Sequence, residues 1–138
     1  MIDVFLQSMN LDEKSYIRRF GAFFTPQKWA NKLVETYCFD KWINGAVVLD
    51  PTAGTGVFLR AFFEIARRKN IQVTNEMANR LHGVELNPAV IREFTHQLLR
   101  DYSFEFPQDN LIQGDILFLE QEIKADILIG NPPWVNFS

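Results

Sequence analysis

The side chains of this sequence that could do chemistry fall in four clusters, each just after a short apolar run. The most unusual is Asn131-Pro132-Pro133-Trp134, which follows Ile127-Leu128-Ile129. Two adjacent prolines fix their own φ and remove two backbone donors. They also push Asn131 toward an extended conformation. The result is a stiff loop that holds out carbonyls and an amide side chain next to a flat ring. That inventory suits a planar amine such as the exocyclic nitrogen of a base: acceptors for its N–H groups, an aromatic face for its ring.

The other three clusters are Asp50-Pro51-Thr52-Ala53-Gly54-Thr55-Gly56, Glu85-Leu86-Asn87-Pro88 and Gly114-Asp115-Ile116-Leu117. Gly54 and Gly56 allow a tight turn and a close approach of backbone to a ligand. Glu85 can accept two hydrogen bonds from a ribose diol, because an ionised carboxylate is acceptor-only. Asp115 can accept from an adenine amino group in the same way. Each has a plainer reading alone: a strand-to-helix turn for the glycines, a solvated carboxylate for each acid. Gly21-Ala22-Phe23-Phe24-Thr25-Pro26 likewise reads as a helix-capping turn with Phe23 in the core.

The elements that must position these clusters can be read from periodicity. Asp12 to Phe20 is expected to be a short helix. Thr25 as N-cap and Pro26 at the first helical position open a helix through about Cys38, with Trp29, Leu33, Val34 and Tyr37 at helical spacing. Ala46-Val47-Val48-Leu49 is a wholly apolar run, expected as a strand buried on both faces of a parallel sheet. Val57 to Lys69 is expected as a helix, Leu81 to Glu85 as a second strand and Pro88 to Arg100 as a helix. Asn110 to Gln113 and Ala125 to Ile129 complete the strands. Residues 71–79 are polar and ambiguous. Strands alternating with helices argue for an α/β fold with a parallel sheet, in which ligands bind beyond the carboxyl ends of the strands. Here four strand ends in succession carry reactive groups.

Composition narrows the classes. Lys and Arg number 14 against 17 Asp and Glu, a net charge of −3. A self-sufficient nucleic-acid binder is usually basic, so this acidic stretch is a poor candidate for gripping DNA by itself. The basic runs Arg18-Arg19 and Arg67-Arg68-Lys69 read as solvated helix faces. Thirteen phenylalanines and three tryptophans are generous, and most are expected in the core. The single Cys38 excludes an internal disulfide and fits a reduced, cytoplasmic setting. His82 and His96 lack ligand-spaced partners, so no metal is expected. No apolar stretch has the length of a membrane helix, and residues 1–10 lack the basic start of a signal peptide.

Gly54-Thr55-Gly56 resembles the start of an NAD fingerprint, but Leu59 stands where its third glycine would fall. Glu85 also comes 29 residues after Gly56, against about 20 for the ribose-binding acid of NAD enzymes. As a set, the clusters instead resemble the S-adenosylmethionine-dependent adenine-N6 DNA methyltransferases, and most closely their restriction-modification subgroup. The resemblance covers residues 21–134. It starts at Gly21 to Pro26 and runs through the cofactor loop Asp50 to Gly56, the ribose segment at Glu85-Leu86 and the adenine segment at Asp115-Ile116. It ends at the catalytic loop Asn131 to Trp134.

That resemblance implies a fold and a set of roles. The fold would be a Rossmann-like doubly wound sheet, four strands in order 3-2-1-4, behind an N-terminal helical segment. Phe24, Thr25 and Pro26 would lie near the methionine end of S-adenosylmethionine. Asp50, Pro51, Ala53, Gly54 and Gly56 would shape the pocket for its amino and carboxylate groups. Glu85 and Leu86 would hold the ribose, and Asp115 and Ile116 the adenine. Asn131 and the Pro132 carbonyl would accept from the target amine, on the loop stiffened by Pro133, while Trp134 would stack on a flipped base. No metal and no covalent intermediate would be needed.

The family's domain normally continues beyond the catalytic loop. Residues 1–138 are therefore expected to be a single partial domain: residues 1–40 the N-terminal helices, residues 41–138 the cofactor-binding core. Double-stranded DNA would be bound through parts outside this chain, which alone is expected to be inactive. The open edge of the fourth strand would favour self-association. Two other readings stay open: methyl transfer to protein glutamine or RNA, and a non-catalytic cofactor-binding or interaction module.

Overall fold

The computed structural model describes residues 25–131. The expected helix at residues 12–20, together with Phe24, Pro132, Pro133 and Trp134, lies outside the described residues. Within them, four parallel strands form one sheet in the order β3-β2-β1-β4. The strands are β1 (Val48–Asp50), β2 (Leu81–Glu85), β3 (Leu111–Gln113) and β4 (Ile127–Leu128). Helix α1 (Gln27–Tyr37) and the short α2 (Phe39–Ile43) precede β1. Helix α3 (Val57–Arg68) and the single turn α4 (Asn75–Ala78) link β1 to β2, and α5 (Pro88–Tyr102) links β2 to β3. The strand order is the one expected, and the alternation of strand and helix is that of a Rossmann-like α/β sheet.

Strand β1 sits mid-sheet with all three of its residues buried, as its unbroken apolar run requires. It starts two residues later than expected and takes in Asp50, because the ladder continues through the Asp50–Gly83 pair. β4 shrinks to two residues, although Ile129 N still donates to Leu49 O. Asn110 closes a 3-10 turn instead of opening β3; its side-chain amide donates to the Leu81 carbonyl. In the ambiguous stretch, the Thr74 hydroxyl accepts from Met77 N and caps α4.

The core is aromatic. Trp42 is fully buried and meets Phe62 edge-on, with centroids 5.0 Å apart, and its indole N–H donates to Met77 O. Phe63 packs against Phe104 and Phe106, and Phe106 against Phe94. Such tilted and edge-on pairs are the favoured aromatic geometry.

Helix α1 corrects two expectations. Its first residue is Gln27 and Pro26 is the cap residue, with no side-chain cap bond, so Thr25 is not the N-cap. Its buried side is Gln27, Ala30 and Val34, while Trp29, Leu33 and Tyr37 are exposed. Small residues let α1 lie close against α3, and the larger aromatics fall on the neighbouring stripe, where Lys28 and Lys32 lie over the Trp29 ring.

Candidate functional site

The carboxyl ends of β1, β2 and β4 bring three of the sequence clusters together. Asp50, the last residue of β1, has no solvent exposure. Its Oδ1 accepts from Thr52 N at 3.0 Å, but its Oδ2 and the Thr52 Oγ1 are buried without a hydrogen-bond partner. Burial, with a smaller push from the Glu85 carboxylate, raises the Asp50 pKa to about 7. Polar groups buried and left unpaired in this way are expensive, and such arrangements concentrate at functional sites.

The loop after Asp50 is held from several sides. Ala53 N donates to Val84 O. Gly54 and Gly56 have φ of +52° and +78°, the region where glycine is nearly free of penalty. A Cβ on Gly56 would come within 2.2 Å of the Phe94 ring, and one on Gly83 within 2.9 Å of Ala53 Cβ. The loop is therefore pressed onto β2 and α5. Pro51, Ala53 and Gly54 keep partial exposure, which leaves this face open to a ligand.

Glu85 ends β2 with its pKa raised by burial, against the lowering effect of the Leu86 and Asn87 backbone N–H groups. Asn87 accepts from Ala89 N and caps α5. Gly114 N donates to Glu85 O, which ties the start of the Asp115 segment to the acidic end of β2. Asp115 Oδ1 accepts from Leu117 N at 3.0 Å and caps a short 3-10 turn, so one of its oxygens already has a structural task. Ile116 and Leu86 are exposed, as are Leu117 and Phe118.

Beyond β4, Asn131 is directed at the first cluster of the chain. Its Nδ2 donates to Thr25 Oγ1 at 3.1 Å, across 106 residues of sequence. The preceding Gly130 lies against the β1 loop: a Cβ there would come within 2.6 Å of Asp50 Oδ1 and 3.1 Å of Thr52 Oγ1. Gln27 is buried and donates to Val57 O at 2.9 Å and to Asn31 Oδ1 at 2.8 Å, clamping the start of α1 to the end of the glycine loop. Sequence reasoning missed the parts played by Thr52, Gly130 and Gln27. Glycine next to the Asn-Pro-Pro run is the one signal that could have found any of them. Among the described residues, no group of three or more His, Cys, Asp or Glu could hold a metal ion, and no helix is long and apolar enough to cross a membrane.

A parallel sheet in order 3-2-1-4, with an acidic residue ending each of two adjacent central strands and a glycine loop between β1 and α3, defines a Rossmann-like domain of the methyltransferase type. Comparison with solved structures agrees: the M protein of the Type I restriction enzyme EcoKI superposes with a TM-score of 0.54 at 24% identity, over 81% of this chain and 25% of that one. The model of the N-6 DNA Methylase family matches residues 3–137, and the chain belongs to that family. The Type II methyltransferase M.BstVI of Geobacillus stearothermophilus is 29% identical over 141 residues, covering 86% of this chain and 25% of the relative. The Type II methyltransferase M.AccI of Acinetobacter calcoaceticus is 27% identical over 135 residues, covering 95% and 21%. The chain thus spans about a quarter of the length of these curated relatives.

Proposed function

We propose that this chain is the cofactor-binding part of an S-adenosylmethionine-dependent methyltransferase that modifies the N6 amine of adenine in DNA within a restriction-modification system. The observation that carries the reading is the convergence of Asn131, Thr25 and the Asp50–Thr52 loop, drawn from three distant segments, at one edge of the sheet. Family membership and relatives named as Type II methyltransferases support it.

The residues present fit the cofactor. Asp50 Oδ2, a buried acceptor, and the Thr52 hydroxyl, a donor or an acceptor, lack a partner, and the amino group at the methionine end of the cofactor would supply a donor to Asp50. Glu85, partly desolvated at the end of the adjacent strand, suits a ribose diol. When bound, S-adenosylmethionine would supply an electrophilic methyl on sulfur. The chain's own work is then acceptance and orientation. An adenine amine is a poor nucleophile because its lone pair is delocalised into the ring. Asn131 Oδ1, accepting from one of its N–H bonds, would concentrate electron density on nitrogen and favour a pyramidal geometry. Most of the rate enhancement would come from positioning and preorganised electrostatics.

The test is transfer of labelled methyl from S-adenosylmethionine to DNA, RNA and protein acceptors by the complete protein, with calorimetry of cofactor binding alongside. Label in N6-methyladenine of duplex DNA is expected; label confined to RNA or protein would refute the substrate, and absence of cofactor binding would refute the enzyme reading. Strand β4 ends the sheet among the described residues, which supports pairing of its open edge with a second copy; sedimentation would detect that association.

A further inference from the structure

We propose that Gln27 is a positioning residue for the cofactor pocket, setting its width by tying the Thr25–Pro26 segment to the end of the glycine loop. The inference rests on the reading of that pocket as a site for S-adenosylmethionine. Gln27 is 6% exposed, and among the described residues it shares a buried polar character with Asp50 and Gln97 alone. Burying an amide is unfavourable unless its hydrogens find acceptors. Here Nε2 donates to Val57 O at 2.9 Å and to Asn31 Oδ1 at 2.8 Å. A backbone carbonyl can only accept, so the nitrogen end of the amide must face Val57 and the direction of the bond is settled.

The bond joins two walls of the pocket that lie 30 residues apart in the sequence. Val57 follows Gly56, whose φ of +78° turns the chain from the loop into α3. Gln27 follows Thr25 and Pro26 and opens α1. Among the described residues, side-chain hydrogen bonds tie α1 to α3 in two places. Gln27 and Val57 join the starts of the helices, and Arg68 Nη2 donates to Glu35 Oε2 at 2.9 Å near their far ends. The two helices therefore run in the same direction, with the Gln27 bond at the site end. Between these ties the buried side chains of α1 are Ala30 and Val34. Apolar packing is non-directional, so it holds the helices together without fixing how far one is advanced along the other. The far ion pair joins exposed side chains, which contributes little. The buried, directional Gln27 bond is left to set the placement of the glycine loop against Thr25 and Pro26. Without it the pocket would be in its binding geometry for a fraction of the time, and the apparent dissociation constant rises by the inverse of that fraction.

The experiment uses the complete protein with Gln27→Met, Gln27→Glu and, as a control, Glu35→Gln. Methionine fills a similar volume without a donor, and an ionised glutamate has acceptors only; methionine keeps the domain folded should the buried carboxylate not. Glu35→Gln breaks the far ion pair alone. The readouts are backbone amide hydrogen exchange of residues 53–57 in the cofactor-free protein, and S-adenosylmethionine binding by calorimetry. In both Gln27 variants exchange in the loop should quicken several-fold. Cofactor should bind about tenfold more weakly, as for a pocket competent about a tenth of the time. Glu35→Gln should stay within about twofold of wild type in both readouts. Unchanged loop exchange in the Gln27 variants overturns the proposal whatever the cofactor does. Quickened exchange with undiminished affinity overturns it too, and leaves Gln27 a clamp of purely structural effect. So does an equal loss of affinity in Glu35→Gln, since any loosening of α1 would then suffice. Absence of binding by the wild type refutes the reading of the pocket itself, and is told apart from those failures because it needs no substitution to appear.

Discussion

Asp50→Asn should make this protein more resistant to alkaline destabilisation while it weakens cofactor binding. The native Asp50 carboxyl has its pKa raised from 3.8 to about 7, mainly by burial. The folded state therefore binds more protons than the unfolded chain between these values, and stability falls as pH rises through that window. At one pKa unit per about 1.4 kcal/mol, the loss between pH 5 and pH 8 is about 3 kcal/mol. Asparagine cannot ionise, so the variant should keep that increment. The amide introduces its own cost, about 1–3 kcal/mol if Nδ2 stays unpaired. That cost does not change with pH and cancels from the difference between the two pH values. The remaining titrating groups are common to both proteins. His82, lowered by burial, adds stability with rising pH below its ordinary value, and Glu85, raised by burial, acts in the same sense as Asp50.

The assay is urea unfolding of wild type and Asp50→Asn at half-unit steps from pH 5 to pH 8.5. The difference in unfolding free energy between variant and wild type should grow by about 3 kcal/mol across the range, and most steeply below pH 7. Calorimetry at pH 8 should find S-adenosylmethionine bound at least about tenfold more weakly by the variant, equivalent to about 1.4 kcal/mol. Parallel stability profiles would refute the reasoning, since they would mean that the buried carboxyl titrates normally. A variant more stable at pH 8 with undiminished cofactor affinity would detach Asp50 from the site.

Four further positions can be tested by substitution. Gly130→Ala puts a methyl group within 2.6 Å of Asp50 Oδ1, an atom already bonded to Thr52 N; the methyl transfer rate should fall on the order of 100-fold, the effect of about 1 Å of misplacement at a reacting centre, and unaltered kinetics would remove Gly130 from the site. Gly56→Ala meets the Phe94 ring at 2.2 Å at a residue with φ +78°, so strain and overpacking together should lower stability by about 2–4 kcal/mol in urea unfolding. Trp42→Ala, at a fully buried residue whose indole is hydrogen-bonded, should lose about 3–5 kcal/mol. Trp29→Ala, on the exposed stripe, should stay within about 0.5 kcal/mol of wild type by the same measurement.

Much of this fold is legible in the sequence because β1 grows out of an unbroken apolar run and the punctuation between the strands is glycine, proline or an acid. What the pattern does not supply is the choice between adjacent faces. In α1, residues 29, 33 and 37 form one helical stripe and residues 30 and 34 belong to the next. Of the apolar positions expected from spacing, the helix buries only Val34, together with Ala30 and Gln27, because the small side chains permit close packing on α3 and Gln27 finds partners in Val57 O and Asn31. Asp50 likewise reads as the start of a turn. A carboxylate in a buried strand contradicts propensity, and only its pairing with Gly83 carries the ladder that far.

The candidate site divides in the same way. Residues whose role follows from their own chemistry, such as Glu85 and Asn131, can be picked out one at a time. Residues whose role follows from what stands beside them cannot. Thr52 matters because its hydroxyl shares a buried, unpaired environment with Asp50 Oδ2; Gly130 matters because β4 lies next to β1 and brings the two loops within a methyl radius of each other. Thr25 has the local preference of a helix cap, as threonine before proline does. The structure engages its hydroxyl with Asn131 instead, so the local preference yields to a bond that closes the site across nearly the whole described chain. The two kinds of residue should therefore respond differently to substitution. Loss of Glu85 should weaken a ligand directly, whereas changes at Thr25, Thr52 or Gly130 should act through the placement of Asn131 and Asp50, and so lower the rate or the cofactor affinity only as far as those two groups move.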